Sequence, residues 1–492
     1  MYQFSGKLKI FSIALILVGA LGIAYSFLNV PSTPEEAMEI VASQAGHGDG
    51  HGDSHEDTSH ADKKDNHKKE GTEEHHSDDK KEEHKMDGDH AKKDAHATTD
   101  AHGEGHDDAH AEHVLHQMQN KPWSAFYVAL LFFLGISLLV LAFYASQRVA
   151  QSGWSIVLFR VMEAITANLV PTSIIMIIVL VLTGMHYNHL FAWMGEGVVD
   201  PNSANFDPIV YGKKLWLNTP RWLIMSIVYL LGWNAYRWFI RKNSIAEDTA
   251  TTIKIYKKNY NVSVIFLVFF MVTESMASWD WIMGLDPHWF STLFGWYVLA
   301  TLLVSAITII AMVTIYLRFK GYLPKVNDSH IHDLAKFMFG FSVFWTYLWF
   351  AQFMLIWYSN IPEEGTYFLM RFNEYKLPFL SLVAMNFVFP ILLLVNSDFK
   401  SKPWFVIIGG IVILAGHYLD LFVMIMPGTV GEYWSFGLGE ISAVLFFVGI
   451  LIYATFNSFA KADPVAKGNP FLKESEHFHY YNIEHEGEEN HH

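Results

Sequence analysis

Acids and imidazoles lie inside stretches of this sequence that are apolar and long enough to cross a lipid bilayer. A titratable side chain is costly at that depth, so each one is a candidate for proton transfer, ligand binding or a buried ion pair. Some fall in the outer half of these stretches, by the topology given below: His186, Asn218, Arg221, Glu274, Asp280, Gln352, His417, Asp420 and Glu440. Others fall toward the cytoplasm: Arg160, Glu163, Asp333, Lys336 and Asp398.

Glu274 stands out because no Lys or Arg is near it in the sequence. Unless another helix supplies a cation, with Arg221 as the candidate, this carboxyl group must stay protonated or lie in a wet cavity. A carboxyl group in that state is a plausible proton carrier.

His417 and Asp420 are three residues apart, which places them on one face of a helix. Such a pair can bind a quinol hydroxyl, relay a proton, hold a metal or form a satisfied internal hydrogen bond. With Glu274 and Glu440, this pair predicts an outer proton path.

Two basic–acidic pairs have the same spacing of three residues. Arg160 precedes Glu163, and Asp333 precedes Lys336. Each is either a structural ion pair near the inner interface or part of a cytoplasmic mouth of the proton path.

The densest polar and aromatic stretch is residues 278–292, with two Asp, one His and three Trp. Asp286-Pro287 favours a tight bend, and indole rings suit an interface or the wall of a site for a flat ring. The stretch predicts either a structural re-entrant turn or a quinol pocket. The residues assigned to this pocket or interface are Trp279, Asp280, Trp281, Asp286, His288, His186 and Gln352.

Ten apolar segments must position these residues, so the predicted fold is an all-α integral membrane protein. They are expected near 8–30, 123–147, 166–188, 217–240, 260–282, 291–317, 334–358, 377–396, 403–426 and 434–457. Lys and Arg gather in every second connection, which predicts that both termini are cytoplasmic. The rival interpretation of the first segment is a cleaved secretory signal.

The chain contains no Cys, which excludes thiolate-held iron–sulfur clusters, covalently attached c-type haem and disulfides. Any redox centre therefore belongs to another chain or to a diffusible molecule. The net charge is −15, and residues 31–121 account for −14 of it, with 24 acidic and 10 basic residues. The acidity describes one loop, and no nucleic-acid partner is expected.

That loop also holds 15 of the 26 histidines and few large apolar residues, so disorder is predicted. It is either a solvated low-complexity insertion or a weak metal binder, and no fixed-spacing metal site is expected. The predicted organisation is a first helix at 1–30, the histidine-rich outer loop at 31–121, a core at 122–458 and a cytoplasmic tail without fixed structure at 459–492.

The stretch WDWIMGLDPHWFST, residues 279–292, resembles the signature of the large membrane subunits of alternative complex III, the bacterial quinol:cytochrome c oxidoreductase. Those subunits belong to the NrfD-like, or polysulfide reductase, family. Three further stretches agree with that family: KKLWLNTP (213–220), HIHDLAKFM (330–338) and QFMLIWYSNIPEE (352–364). The resemblance covers about residues 120–460, and the chain looks more like the second of the two subunits, the ActF type.

The resemblance implies two four-helix bundles with peripheral helices, in the bacterial cytoplasmic membrane. It implies these partners: a sister NrfD-like subunit, an iron–sulfur subunit, a multihaem cytochrome c subunit, small membrane subunits, a terminal cytochrome oxidase and lipids. Haem c and iron–sulfur clusters would belong to the partners, and only quinol or menaquinol could bind here. The chain is not expected to be catalytic alone. In the family, quinol oxidation is usually placed in the sister subunit, which leaves direct quinol binding by this chain open.

Two other classes compete. A divalent-metal transporter is motivated by the histidine-rich loop and the His417–Asp420 pair, yet only His186, His189 and His417 lie in or beside the apolar segments. A b-type haem protein needs two facing axial histidines, for which His186 and His417 are the only couple.

Overall fold

The chain is an all-α membrane protein. The computed structural model describes residues 2–45 and 104–479, which contain helices, turns and loops but no strand. Within these residues ten helical segments are long and apolar enough to cross a membrane, as the sequence predicts. They are α1 (Gly6–Leu28), α2 (Ala111–Val149), α3 (Gly153–Gly184), α4 (Thr219–Glu247), α5 (Lys254–Leu285), α6 (Phe294–Phe319), α7 (Asp328–Ser359), α8 (Lys376–Leu394), α9 (Pro403–Thr429) and α10 (Leu438–Phe459).

Several segments depart from regular α-helix. The helix that contains α2 begins at Glu104, before the apolar segment itself. Segment α3 opens with the 3₁₀ turn Gly153–Leu158, and α5 closes with the 3₁₀ turn Met283–Leu285. Segment α8 contains a π-helical turn at Ala384–Val388. Shorter helices connect or follow the segments: Pro34–Ala45, Pro208–Gly212, Pro362–Asn373, Ser397–Ser401 and Leu472–Glu476.

The largest boundary difference is at α3, which begins at Gly153 rather than near 166. The expected start near 166 lies beyond Arg160 and Glu163, whose charges would be costly in lipid. Both side chains are instead buried inside the protein, with 1% and 2% of their surface exposed, where ion pairs compensate them.

The segments form the two predicted four-helix bundles. Segments α6, α7, α8 and α9 pack in a ring, and α3, α4 and α5 pack in sequence. Hydrogen bonds from α2 reach all three of those helices: Tyr144 to Glu163, Arg148 to Glu247 and Tyr127 to the Trp281 carbonyl. Segments α5 and α6 join the two bundles, and α1 lies along α10 at the periphery.

The side on which α1 begins and, with ten described segments able to cross, α10 ends is here called the terminal side; the other is the opposite side. The residues that follow α10 are folded against the rest of the protein as far as residue 479, the last one described. The Ser475 hydroxyl donates to the Trp154 carbonyl at 2.7 Å, and the Ser475 carbonyl lies 3.0 Å from His330 Nε2. The prediction of an unstructured tail is therefore wrong as far as residue 479, because Ser475 is buried in polar contacts.

Residues 32–115 belong to a separate unit. Its described part includes the helix Pro34–Ala45, whose first turn carries Glu35 and Glu36, as favours a helix N-terminus. The Ser32 N–H donates to the Glu36 carboxylate at 2.9 Å. The predicted disorder covered residues 31–121, and it is wrong for Pro34–Ala45 and for the residues from Glu104 onward, which are helical. Residues 46–103, with most of the histidines of the predicted metal-binding loop, lie outside the described residues.

Candidate functional site

Glu274 is a buried acid without a partner. It lies on α5 with 4% of its surface exposed, and neither carboxyl oxygen forms a hydrogen bond with a described residue. The hydroxyl of the adjacent Ser275 donates instead to the Met271 carbonyl at 3.2 Å. An ionised carboxylate here would carry an uncompensated desolvation cost, so the group is stable as the neutral acid.

Glu274 borders a small cavity where the two bundles meet. The cavity measures about 30 Å³, which is enough for a water molecule. The first bundle and the second bundle each supply part of its wall: Trp233, Ser278 and Trp281 from the first, and Val298, Leu302 and Leu421 from the second. Glu274 therefore faces the boundary between the two bundles.

Arg221, the candidate counter-ion of Glu274, is paired with Asp280 instead. Arg221 Nη1 lies 2.5 Å from Asp280 Oδ1, and the Tyr229 hydroxyl donates to Asp280 Oδ2 at 3.0 Å. Asp280 is six residues beyond Glu274, and at about 100° per residue the two side chains point about 120° apart around α5. Arg221 is therefore not the counter-ion of Glu274.

Asp420 is fully buried in the second bundle and is held by neutral donors. Its Oδ2 accepts hydrogen bonds from the Thr301 hydroxyl at 2.7 Å and the Trp345 indole N–H at 2.8 Å, and its Oδ1 accepts one from the Tyr297 hydroxyl. Tyr297 and Thr301 are four residues apart and so share one face of α6. Their spacing was a usable signal, but the sequence analysis did not include these three donors.

His417 lies beside Asp420 but does not bond to it. Its Nδ1 is 3.9 Å from Asp420 Oδ2, which is too long for a hydrogen bond. Its ring meets the Trp345 ring edge-on at 5.4 Å between centroids, and both nitrogens lack a partner among the described residues. Asn386, in the π-helical turn of α8, is also buried and unpartnered, and a Cβ at Gly416 would lie 2.1 Å from its Oδ1.

Glu440 has a local role in the helix. It is the third residue of α10, and its Oε2 accepts a hydrogen bond from the Gly437 N–H at 2.8 Å, as in a capping box. Its Oε1 is buried without a partner among the described residues. No hydrogen bond connects Glu274, Asp420 and Glu440 within the described part of the chain, so the outer proton path stays a prediction.

Arg160 and Glu163 form the predicted ion pair, at 2.8 Å, inside a larger network. Arg241 donates to the same Glu163 oxygen, and the hydroxyls of Ser244 and Tyr144 donate to the other. Three arginines and three acids balance in this network: Arg148, Arg160 and Arg241 with Glu163, Glu247 and Asp248. The arrangement fixes the charge of Glu163 and ties α2, α3 and α4 together.

Asp333 and Lys336 also pair as predicted, with Lys336 Nζ at 2.9 Å from Asp333 Oδ1. They lie on α7 of the second bundle, whereas Arg160 and Glu163 lie on α3 of the first. The predicted cytoplasmic mouth is therefore two ion pairs on different bundles rather than one cluster.

A larger cavity lies on the opposite side, at the turn between α5 and α6. It measures about 370 Å³, a size typical of small-molecule sites. Its walls are aromatic, with Trp216, Trp279, Trp289 and Phe290 among the lining residues. The indole N–H groups of Trp279 and Trp289 are buried and have no hydrogen-bond partner among the described residues.

Two charged residues complete this outer cavity. Lys213 and Asp286 line it, and Lys213 Nζ donates to the Pro287 carbonyl at 2.6 Å. Burial lowers the pKa of Lys213, although Asp286 and Asp207 oppose the shift. The sequence analysis named Asp286 and Trp279 but missed Lys213 and Trp216, which lie 60 or more residues earlier.

Several residues assigned to a quinol pocket do not line this cavity. Asp280 is fixed by Arg221, and Trp281 donates to the Ser226 hydroxyl at 2.9 Å within the first bundle. His288 is exposed and lies 2.5 Å from Asp207.

His186 and Gln352 lie elsewhere. His186 is exposed, with φ of 60° in the turn after α3, and burial together with the imidazoles of His116 and His186 lowers the pKa of His189. Gln352 is buried on α7, and its Oε1 lacks a partner among the described residues. Since His186 is exposed and His417 is fully buried, the two are not a facing pair for a haem iron.

Within residues 2–45 and 104–479, no group of three or more His, Asp or Glu side chains is placed to hold a metal ion. The metal-transporter hypothesis therefore has no site in that part of the chain. No protein-family model matches the sequence, and no curated protein is significantly similar to it.

Proposed function

We propose that this chain is an integral membrane subunit of a quinol:cytochrome c oxidoreductase, of the NrfD-like ActF type, in which buried carboxyl groups transfer protons. The observation that carries the proposal is Glu274, an unpartnered acid beside a water-sized cavity between the two bundles. A carboxyl group can give up a proton and take one back. Across the cavity from Glu274 lies α9, which contributes Leu421 to the wall and carries Asp420 one residue earlier.

In this proposal the chain contributes no redox centre. It has no Cys to hold a cluster or a covalent haem, so electrons would pass through an iron–sulfur subunit and a multihaem cytochrome c subunit. Quinol oxidation in the sister membrane subunit would drive proton movement here. The lysine-rich terminal side would be cytoplasmic, in a bacterial inner membrane.

Purification of the tagged chain from its native membrane after mild detergent extraction tests this proposal. We expect co-purification of c-type haem, seen by absorbance, and of iron, measured by elemental analysis. The same extraction of untagged membranes is the control for carry-over. A colourless single subunit in a gentle detergent would overturn the proposed complex.

A second candidate function, direct quinol binding, is favoured by the outer cavity. Trp279 and Trp289 offer unsatisfied indole N–H donors beside aromatic walls, and a quinone ring would stack on the indoles while its carbonyl oxygens accept hydrogen bonds. The motif stretches 213–220 and 279–292 meet at this cavity, which is consistent with the family resemblance.

Tryptophan substitution separates the stacking and hydrogen-bonding contributions at the outer cavity. Trp279→Phe keeps a ring but removes the donor, and should weaken binding of a soluble quinone analogue by roughly 5-fold to 10-fold. Trp216→Ala removes part of the cavity wall and should weaken binding of the quinone analogue further. Trp404→Phe, an exposed residue of α9 outside the cavity, is the matched control. Equal analogue affinity in all three variants would rule out this site.

A further inference from the structure

A basic cavity lies between α1, α3, α4 and α10 near the terminal side. It measures about 570 Å³. Its basic members are Arg237, Arg241 and Lys461, and its apolar wall includes Ile16, Pro171 and Ile450. The cavity thus combines positive charge with hydrocarbon surface, and neither the proton path nor the outer cavity uses it.

The charges around this cavity do not cancel. Arg241 is neutralised because it belongs to the balanced network around Glu163. Arg237 and Lys461 form no ion pair with a described carboxylate, and the Arg237 Nε is buried without a hydrogen bond there. The nearby Asp463 is paired with Lys467 at 2.7 Å. Two positive charges therefore remain available to an anion in the cavity.

We propose that this cavity binds one anionic phospholipid, with the phosphate held by Arg237 and Lys461 and an acyl chain lying along Ile16 and Ile450. A guanidinium group suits a phosphate because it can donate two parallel hydrogen bonds. Arg237 lies ten residues before the end of α4, about 15 Å at 1.5 Å per residue, and its long side chain can extend toward the interface.

The location selects a lipid over a soluble anion. Basic pockets between membrane helices on the lysine-rich side are suited to anionic headgroups, which are enriched in the cytoplasmic leaflet. A free phosphate would leave the apolar wall uncovered. The side-chain amide of Asn457, which also lines the cavity, offers a hydrogen-bonding group for a glycerol headgroup.

Native mass spectrometry of the purified full chain tests the headgroup contacts. We expect phosphatidylglycerol to bind at least about 10-fold more tightly than phosphatidylcholine with the same acyl chains. The double variant Arg237→Gln/Lys461→Gln should lose that preference. The control Lys254→Gln/Lys257→Gln removes two exposed lysines near one end of α5 and should keep it. An unchanged preference in the Arg237→Gln/Lys461→Gln variant would overturn the proposal.

The acyl-chain contact needs a separate variant, because loss of charge alone does not distinguish a lipid from a free anion. Ala454→Phe fills the cavity wall without changing charge and should reduce phosphatidylglycerol binding, with folding checked by thermal unfolding. Competition by inorganic phosphate as effective as competition by the lipid would assign the site to a soluble anion. The inference does not depend on the proposed oxidoreductase function, so co-purification results leave it unaffected.

Discussion

Two buried glutamates of the first bundle, Glu163 and Glu274, have opposite surroundings. Glu163 is bonded by two arginines and two hydroxyl groups, whereas Glu274 has no hydrogen-bond partner among the described residues. The first is held as a charged group and stabilises the helices around it. The second has no compensating contact there, and this difference is the basis for proposing Glu274 as the proton carrier.

Asp420 is intermediate between these two acids. It has three hydrogen-bond donors but no Lys or Arg partner among the described residues. Its contacts are therefore hydrogen bonds from neutral groups, whereas those of Glu163 include two arginines. The comparison predicts that stability losses will follow the number and charge of the partners that each acid holds.

The largest loss is expected for Glu163→Gln. Arg160 and Arg241 would keep their charges without the carboxylate, and breaking a buried pair in this way costs about 3–5 kcal/mol. Thermal unfolding in detergent, with expression yield, measures the effect. Asp333→Asn removes the acid of the less buried pair on α7 and should cost under about 1 kcal/mol. Equal losses in the two variants would break the comparison.

A smaller loss is expected for Asp420→Asn. The amide would place N–H groups against donors that now meet a carboxylate, and hydrogen bonds to a charged group contribute roughly 1.5–3 kcal/mol. Tyr297→Phe removes one donor and should cost about 1 kcal/mol. If Tyr297→Phe were the more damaging variant, packing rather than hydrogen bonding would explain this cluster.

The sequence predicts charged pairs well when both members are on one helix, as for Arg160 with Glu163. It does not identify partners from distant segments: Arg241 is 78 residues from Glu163, and hydrophobic periodicity carries no information on which side chains meet. The lack of a charged partner for Glu274 could be predicted, because no Lys or Arg is near it in the sequence. The competition of Asp280 for Arg221 could not, because it depends on how α4 is rotated against α5.

The membrane-spanning segments could be predicted from the sequence, but the outer cavity and Asn386 could not. The ten segments follow from length and apolarity, since the bilayer imposes both. The outer cavity requires two loops to meet, and only one of them was recognised as a candidate site. Asn386 was missed because a π-helical turn, which changes the face on which a side chain lies, is not visible in an apolar run.

The smallest effect is expected for Asp207, outside the membrane. Desolvation raises its pKa, but the hydrogen bonds from Val210, His288 and Ile209 together outweigh this and hold the pKa below its ordinary value of 3.8. A lowered carboxyl pKa contributes stability above pH 3.8, and that contribution is lost as the pH falls through the folded-state value. Asp207→Asn should cost under about 1 kcal/mol at pH 7.

Unfolding of both proteins across acidic pH measures this effect. The stability difference between wild type and Asp207→Asn should shrink below pH 3.8. A difference that stays constant to the lowest pH would contradict this account, because the capping hydrogen bonds that Asp207 accepts from Ile209 and Val210 would then not depend on its charge.

The most direct test of the central claim is the proton-to-electron ratio of the intact complex in proteoliposomes, with and without Glu274→Gln. The variant exchanges one neutral, unpartnered group for another of the same shape, so assembly and unfolding temperature should be unchanged. We predict that electron transfer from quinol continues while proton release per electron falls. A ratio equal to that of the wild type, in an assembled and active variant, would contradict the assignment of Glu274 as a proton carrier.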